Sequence, residues 1–194
     1  ENKYDKGIGG RTVFRYSSKK LTAHAGAELQ QGRFNSAVFN NNSGVAGNLQ
    51  QKTTLQSVQA NAFVQTEFSL PAGFLFASGI SYNRFYYGYR LLSNPAAQKQ
   101  SSPFKTQWVP RISLLKKWTE ASAYIALSKG YSVPSIDEVN AGNDRFNSSL
   151  QPETAINYEA GYKASLLNNT LVVNLAIYQF YLQNTIVSRR DSAG

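Results

Sequence analysis

Apolar and polar residues alternate with a period of two along much of the chain, most regularly between Ala155 and Leu166. One set of alternate positions is apolar: Ile156, Tyr158, Ala160, Tyr162, Ala164 and Leu166. The other set is polar or small: Asn157, Glu159, Gly161, Lys163 and Ser165. Because successive side chains of a β-strand point to opposite sides, the pattern predicts a strand with one apolar and one polar face.

The same alternation predicts about eight strands in the whole chain. The others are expected at Arg11–Tyr16, Leu21–Leu29, Ser57–Phe68, Phe74–Arg90, Lys105–Trp118, Ala121–Tyr131 and Leu171–Phe180. Two of them carry irregularities. Pro110 has no N–H to donate to a ladder, which predicts a bulge or a missing bond there. The apolar phase shifts at Tyr178 and Phe180, which predicts a β-bulge.

Short and long connections alternate between these strands. The short ones are Ser17–Lys20, Pro71–Gly73, Thr119–Glu120 and Leu167–Asn169, and the long ones are Asn35–Gln56, Leu91–Phe104 and Ser132–Pro152. Outer-membrane barrels combine short periplasmic turns with long extracellular loops. The pattern therefore predicts an all-β fold, part of an antiparallel up-and-down transmembrane β-barrel, in which Asn35–Gln56 is a mobile external loop.

In such a barrel one strand face meets lipid and the other meets the lumen. We expect Ile156, Tyr158, Tyr162 and Leu166 to face lipid, and Asn157, Glu159 and Lys163 to face the lumen. Gly161 removes a side chain where another backbone or the plug can approach closely. Pro152 favours an extended conformation at Gln151, as suits the start of a strand.

The composition is compatible with a barrel. Of the 194 residues, 16% are charged and 13% aromatic, and no apolar run approaches the ~20 residues of a membrane helix. Near a long loop lie Tyr82, Phe85, Tyr86, Tyr87 and Tyr89, and near a short turn lies Trp118, where an aromatic girdle would fall. The general preference of sheets for aromatic residues explains them as well. The net charge of +9 comes from scattered Lys and Arg, and we expect no nucleic-acid partner.

Side chains suited to catalysis or metal binding are sparse. There is no Cys, and the one histidine, His24, has no nucleophile near it in the pattern. Asp137, Glu138 and Asp144 lack the ligand spacing and central glycine of a calcium loop. The sequence therefore predicts no catalytic residue, no cofactor and no metal site, and a protein that is not an enzyme.

Three blocks in the second half of the chain resemble a known family. Ser128-Lys129-Gly130-Tyr131, then Pro134-Ser135 and Glu138, resembles the pattern S-x-G-[FY]…P-[ST]…E. Leu150-Gln151-Pro152-Glu153-Thr154 and Asn157-Tyr158-Glu159-Ala160-Gly161 together resemble L-x-P-E-x-x-x-x-Y-E-x-G. Pro110-Arg111-Ile112-Ser113-Leu114 is similar to P-R-[IL]-[SG]-[LV]. In this order and spacing, the blocks resemble the barrel of TonB-dependent outer-membrane receptors.

The resemblance implies a receptor in the outer membrane of a Gram-negative bacterium that takes up a scarce ligand with energy from the TonB system. Ferric siderophores are the commonest ligands in that family; haem, cobalamin and oligosaccharides are others. The family barrel has about twenty-two strands. Residues 1–194 are therefore interpreted as a fragment of the barrel domain, without plug or terminal strands. Its expected partners are outer-membrane lipid, an iron chelate and the TonB complex, the last through an N-terminal region outside these residues.

Two other functions fit part of the pattern. A passive porin or structural barrel would share the alternation and the unequal connections. A soluble β-sandwich binding module would share the alternation, but its apolar faces would pack against each other.

An aromatic and basic stretch, Tyr82–Arg90, leads up to one of the long connections. Tyrosine rings can stack on an aromatic ligand, and arginine pairs with carboxylate or catecholate oxygens. We expect Tyr87, Tyr89 and Arg90 to contact the ligand. The competing interpretation places the rings in the aromatic girdle and the arginines against lipopolysaccharide phosphates.

Overall fold

A computed structural model shows one antiparallel β-sheet and describes residues 2–94, 96, 98–139, 147 and 149–186. Within them the strands are β1 (Asn2–Ser17), β2 (Leu21–Asn42), β3 (Val45–Leu70), β4 (Phe74–Leu91), β5 (Gln100–Pro103), β6 (Gln107–Lys117), β7 (Ala121–Ser132), β8 (Glu153–Leu166) and β9 (Leu171–Gln183). A 3₁₀ turn at Pro71–Gly73 and the four-residue helix α1 (Ile136–Val139) complete the described elements.

Strands that follow each other in sequence are neighbours in the sheet, with one insertion. The order is β1-β2-β3-β4-β6-β7-β8-β9, and β5 pairs with the end of β4. The predicted up-and-down arrangement is therefore confirmed. The connections at residues 18–20, 71–73, 118–120 and 167–170 lie together at one end of the sheet, called here the turn end. The opposite end is called the loop end.

The pairing register assigns each strand position to one of two faces. One row across the sheet is apolar and consists of Leu21, Phe68, Phe76, Leu114, Ile125, Ala160 and Ile177. A row on the opposite face consists of Arg15, His24, Gln65, Gly79, Arg111, Ser128 and Asn157. Residues of this second face, from β1 to β8, line one cavity of ≈ 1010 Å³. The sheet therefore curls toward this face, the inner face, and away from the outer face.

The predicted face assignment on β8 is confirmed by this register. Ile156, Tyr158, Tyr162 and Leu166 belong to the outer face, and Asn157, Glu159 and Lys163 to the inner face. Strict alternation was sufficient to predict which residues share a face, because the side chains of a strand have a period of two.

The prediction of a long loop at Asn35–Gln56 is wrong. β2 and β3 continue through this stretch as a paired ladder that closes at Ser43 and Gly44. Both turn residues have positive φ, 52° and 91°, as two-residue hairpins of type I′ require. Asn41 Oδ1 accepts a hydrogen bond from Gly44 N at 2.8 Å. The polar composition was misleading because a ladder is held by backbone groups and tolerates polar side chains on both faces.

The other two long connections contain short elements. β5 lies within Leu91–Phe104 and runs antiparallel to the end of β4. The helix α1 lies within Ser132–Pro152. Part of that connection, including Asp144, lies outside the described residues.

Of the two predicted irregularities, one is confirmed and one is wrong. β6 pairs with β4 through Pro110, but its ladder with β7 begins only at Arg111, since proline has no N–H. The bulge predicted in β9 is absent, because the register with β8 is continuous from Leu166 to Thr154. Tyr178 and Phe180 occupy regular inner positions, with ring centroids 5.3 Å apart. Both faces of β9 carry apolar residues, so the change in the apolar pattern along this strand does not mark a bulge.

Large apolar side chains on the outer face are exposed. Ile125 is 61% exposed and Tyr158 49%, and similar values recur along the face. Within the described residues no second sheet packs on the first, as a β-sandwich would require. An apolar surface of this extent marks contact with a membrane or another protein.

Candidate functional site

The concave inner face forms a polar wall. Its ≈ 1010 Å³ cavity is lined by charged side chains from different strands, including Arg15, Glu67, Arg111 and Glu159. His24 also lines the cavity, between Arg15 on β1 and Gln65 on β3. A surface with both signs of charge can hydrogen-bond water, a polar ligand or a protein segment.

A hydrogen-bond network fixes the wall where β7 meets β8. The Tyr124 hydroxyl donates to Glu159 Oε1, and Asn157 Nδ2 donates to Glu159 Oε2 at 3.3 Å. The Tyr124 ring lies across Gly161, its register partner, where any Cβ would overlap the ring. Gly161 was predicted to admit another backbone or the plug, but the group that approaches it is a ring of the neighbouring strand.

A second polar row crosses the inner face nearer the loop end. It consists of Arg11, Glu28, Asn61, Asn83 and Gln107. Arg11 Nε lies 4.0 Å from Glu28 Oε2, and Lys129 Nζ donates to Gln107 Oε1 at 3.2 Å. The buried Asn61 Oδ1 has no hydrogen-bond partner among the described residues. Buried polar atoms are normally paired, so this oxygen is a candidate acceptor for water or for a ligand donor.

Buried apolar side chains gather at the loop end of the inner face. This loop-end cluster consists of Leu55, Tyr87, Tyr89, Phe104 and Val139. Tyr87 meets the ring of Phe104 nearly edge-on, with centroids 5.6 Å apart, and meets Phe85 in the same way at 4.8 Å. Edge-to-face contacts of this kind add about 0.5–1.5 kcal/mol to the burial of the rings.

The helix α1 carries Val139 into this cluster. Ser135 and Glu138 form a capping box: Ser135 N donates to Glu138 Oε2 at 2.6 Å, and Glu138 N donates to Ser135 Oγ at 3.3 Å. The Tyr87 hydroxyl donates to the carbonyl of Pro134 at 3.3 Å.

The contact between β4 and the β7–β8 connection was not predicted from the sequence. Its local signal was visible, because a Ser followed three residues later by Glu is a helix-start signature. Its partner on β4 could not be inferred without the register.

The structure brings Tyr87 and Tyr89 together and separates them from Arg90. The two tyrosines are 5% and 3% exposed on the inner face, inside the loop-end cluster. Arg90 is exposed on the outer face, opposite Thr54. Adjacent positions of a strand point to opposite sides, so the three side chains do not share one surface. Ligand contact by these residues stays a prediction.

The two faces differ in charge, because the inner face carries both signs and the charged residues at outer strand positions are all cations. The carboxylates on described strands all occupy inner positions: Asp5, Glu28, Glu67, Glu153 and Glu159. Five exposed cations occupy outer positions toward the loop end: Lys6, Arg33, Lys52, Arg84 and Arg90. Lys6 and Arg33 are direct register partners. Like charges opposite each other destabilise a sheet, so an anion between them would relieve the repulsion.

Side chains that could bind a metal do not converge within the described residues. No group of three or more His, Cys, Asp or Glu side chains is found there. In the same part of the chain, no helix is long and apolar enough to cross a bilayer.

The sequence of residues 2–194 matches the family model described as TonB dependent receptor-like, beta-barrel. A search of curated protein sequences gave no match.

Solved structures share the fold at low sequence identity. The ferric-catecholate import receptor Fiu from E. coli K12, in its closed form, superposes with a TM-score of 0.69 at 13% identity, covering 97% of this chain and 33% of that one. The unliganded ferric citrate transporter FecA gives 0.68 at 9%, covering 98% and 29%. The copper transporter OprC gives 0.72 at 12%, covering 92% and 30%. The chain thus spans about a third of the length of these proteins.

Proposed function

Because this chain belongs to the TonB-dependent receptor β-barrel family, we propose that it forms part of the wall of an outer-membrane receptor that takes up a scarce ligand. The observation that carries the proposal is the family match along residues 2–194. The receptor would be a longer protein, since the chain covers 33% of the Fiu chain. Its plug, and the N-terminal region that meets the TonB complex, would lie outside these residues.

The two faces of the sheet support a place in the outer membrane of a Gram-negative bacterium. The exposed apolar rows of the outer face suit contact with lipid chains, and the polar inner face suits a water-filled or plugged lumen. The tight turns would face the periplasm and the long connections the exterior.

We propose a metal chelate as the ligand, with a ferric siderophore as the first choice. The proteins similar in fold support this class: their names state ferric-catecholate import, ferric citrate transport and copper transport. These names also differ in ligand while the fold is shared, so the fold alone does not select among them.

Ligand contact is proposed for the loop end of the inner face. Tyr87 and Tyr89 would act mainly through the loop-end cluster, because their rings are buried. Replacement of Tyr87 or Tyr89 by Ala, and of Arg90 by Gln, separates direct contact from organisation of the loops. A residue that contacts the ligand through a charge-assisted bond should weaken binding by ~1.5–3 kcal/mol when it is removed. If all three variants bind as tightly as the parent, these residues are not ligand contacts.

Outer-membrane lipid is proposed as the second partner. The five outer cations of the loop end would meet the phosphates of lipopolysaccharide, which would also separate the like charges of Lys6 and Arg33. This assignment favours the alternative interpretation of Arg90, whose side chain lies on the outer face.

The test is uptake by cells that carry or lack the full-length receptor. Iron-starved cells receive ⁵⁵Fe as ferric tris-catecholate or ferric citrate, with and without a protonophore that removes TonB energy. Accumulation that needs both the receptor and the proton gradient supports the proposal. Accumulation that needs the receptor but survives the protonophore would favour a passive porin. Accumulation that is the same without the receptor would contradict uptake of either chelate.

A further inference from the structure

An outer-face row next to the turn end combines a cation, a small residue and a phenol. Lys116 on β6, Ala123 on β7 and Tyr162 on β8 are consecutive register partners. Neighbouring strands lie about 4.8 Å apart, so Ala123 leaves a gap between the longer side chains on its two sides. Tyr162 is 42% exposed on this face.

Aromatic rings and a backbone carbonyl near the turn end hold the Lys116 ammonium in this row. Its Nζ lies 4.5 Å from the ring centroid of Phe74 and 5.8 Å from that of Trp118, and it donates to the carbonyl of Ala72. A lysine has three N–H donors, so two remain for another acceptor. No Asp or Glu occupies an outer strand position among the described residues, so no carboxylate on this face competes for the ammonium.

An apolar groove of ≈ 640 Å³ begins one row beyond Lys116, toward the loop end. Its first row includes Leu114, Ile125 and Ile177, and the small side chain of Ala160 forms its floor. Ile112, Leu127 and Tyr158 form the next row. Alternate positions of a strand are about 6.8 Å apart, so the first row of the groove lies within the length of a lipid from Ala123.

We propose that this surface is a specific binding site for one glycerophospholipid of the membrane leaflet at the turn end. The phosphate would lie over Ala123, between the Lys116 ammonium and the Tyr162 hydroxyl, and one acyl chain would lie in the groove. The charge pattern selects this occupant. A hydrocarbon chain alone leaves Lys116 unused, and lipopolysaccharide belongs with the five cations at the other end of the sheet. The inference rests on the proposed function only in taking the outer face to contact lipid.

The test is native mass spectrometry of the full-length receptor, released from detergent micelles and titrated with phosphatidylglycerol carrying palmitoyl and oleoyl chains. Lys116→Gln should weaken binding of the first lipid about tenfold, which is the size of one charge-assisted hydrogen bond. Lys116→Arg keeps the cation and should bind nearly as well as the parent. Lys117→Gln is the matched control, because it removes the same charge one residue further on, at an inner position opposite Ser122.

Lys116 also supports the turn at Ala72, so Lys116→Gln could fail to fold. Tyr162→Phe keeps the ring and removes only the hydroxyl, and it should weaken the first lipid by several fold. Unchanged binding in folded Lys116→Gln, or in Tyr162→Phe, would contradict the proposed lipid-binding site. An equal loss in Lys117→Gln would also overturn it, because the effect would then be one of net charge. The readout is independent of uptake, so a failure here leaves the receptor proposal untouched, and the reverse also holds.

Discussion

Tyr158 and Asn157 are neighbours in sequence with opposite surroundings. Tyr158 lies on the outer face beside the apolar groove, and Asn157 lies on the inner face in the network of Glu159. Tyr158→Arg would place a charge among lipid chains near mid-membrane and should cost ~2–4 kcal/mol of unfolding free energy. Asn157→Arg should cost much less, because its side chain meets a polar lumen.

Equilibrium unfolding in urea of the full-length receptor, refolded in lipid vesicles, measures both values. Equal costs at the two positions would contradict the assignment of the faces.

Gly161 depends on the ring of Tyr124. Gly161→Ala forces that ring away from its place and from Glu159, and overpacking of this kind costs about 1–3 kcal/mol. Gly130→Ala is the matched control on the neighbouring strand, since a Cβ there meets nothing within 4 Å. The same unfolding experiment applies, and adding Tyr124→Ala should remove most of the penalty at Gly161. An equal effect at both glycines would show that only backbone freedom matters.

Single residues show what alternation can and cannot predict. The faces of Tyr158 and Asn157 follow from a period of two within one strand. The contact of Tyr124 with Gly161 depends on the register between two strands, and sequence alone does not set that register unless a turn type fixes it.

The β2–β3 hairpin is the element on which sequence-based prediction failed most. Its ends at the turn end were predicted well, because apolar positions alternate there. Beyond residue 35 the side chains are mostly polar. The one local sign of a hairpin there is the pair Ser43 and Gly44, which forms a turn with positive φ. The helix α1 was also missed, although its capping box was visible, because four-residue elements have little periodicity to detect.

Gly44 at φ 91° should be essential to the tip of this hairpin. Gly44→Val places a β-branched residue in the left-handed region, at a cost of about 1–2 kcal/mol. Hydrogen exchange should then accelerate for amides of the ladder near the tip and stay unchanged near Leu21 and Phe68. Gly44→Asn serves as the control, since Asn tolerates positive φ, and should exchange nearly like the parent. Equal acceleration in both variants would show that the turn conformation is not what protects the tip.

At the scale of the whole molecule, the connections and charges divide the sheet into two ends and two faces. The proposed topology places Ser43 outside the cell and Ala72 in the periplasm. A cysteine introduced at Ser43 should react with a membrane-impermeant maleimide on whole cells, and a cysteine at Ala72 should react only after the outer membrane is opened. Residues 1–194 contain no native Cys, so the introduced cysteine is the one thiol that can react within them. Labelling at Ala72 but not at Ser43 would reverse the topology.

The long β2–β3 ladder also constrains how its length can vary between related sequences. Opposed residues of an antiparallel pair alternate between hydrogen-bonded and non-hydrogen-bonded partners, and a two-residue turn closes on one kind only. Loss of one residue from each strand presents the turn with the wrong kind of pair, whereas loss of two from each restores the right one. Deletions and insertions in this hairpin should therefore accumulate in steps of four residues, two on each side of Ser43 and Gly44. The ladder already shifts register near Phe39, so lengths between these steps would need a further β-bulge or a different turn.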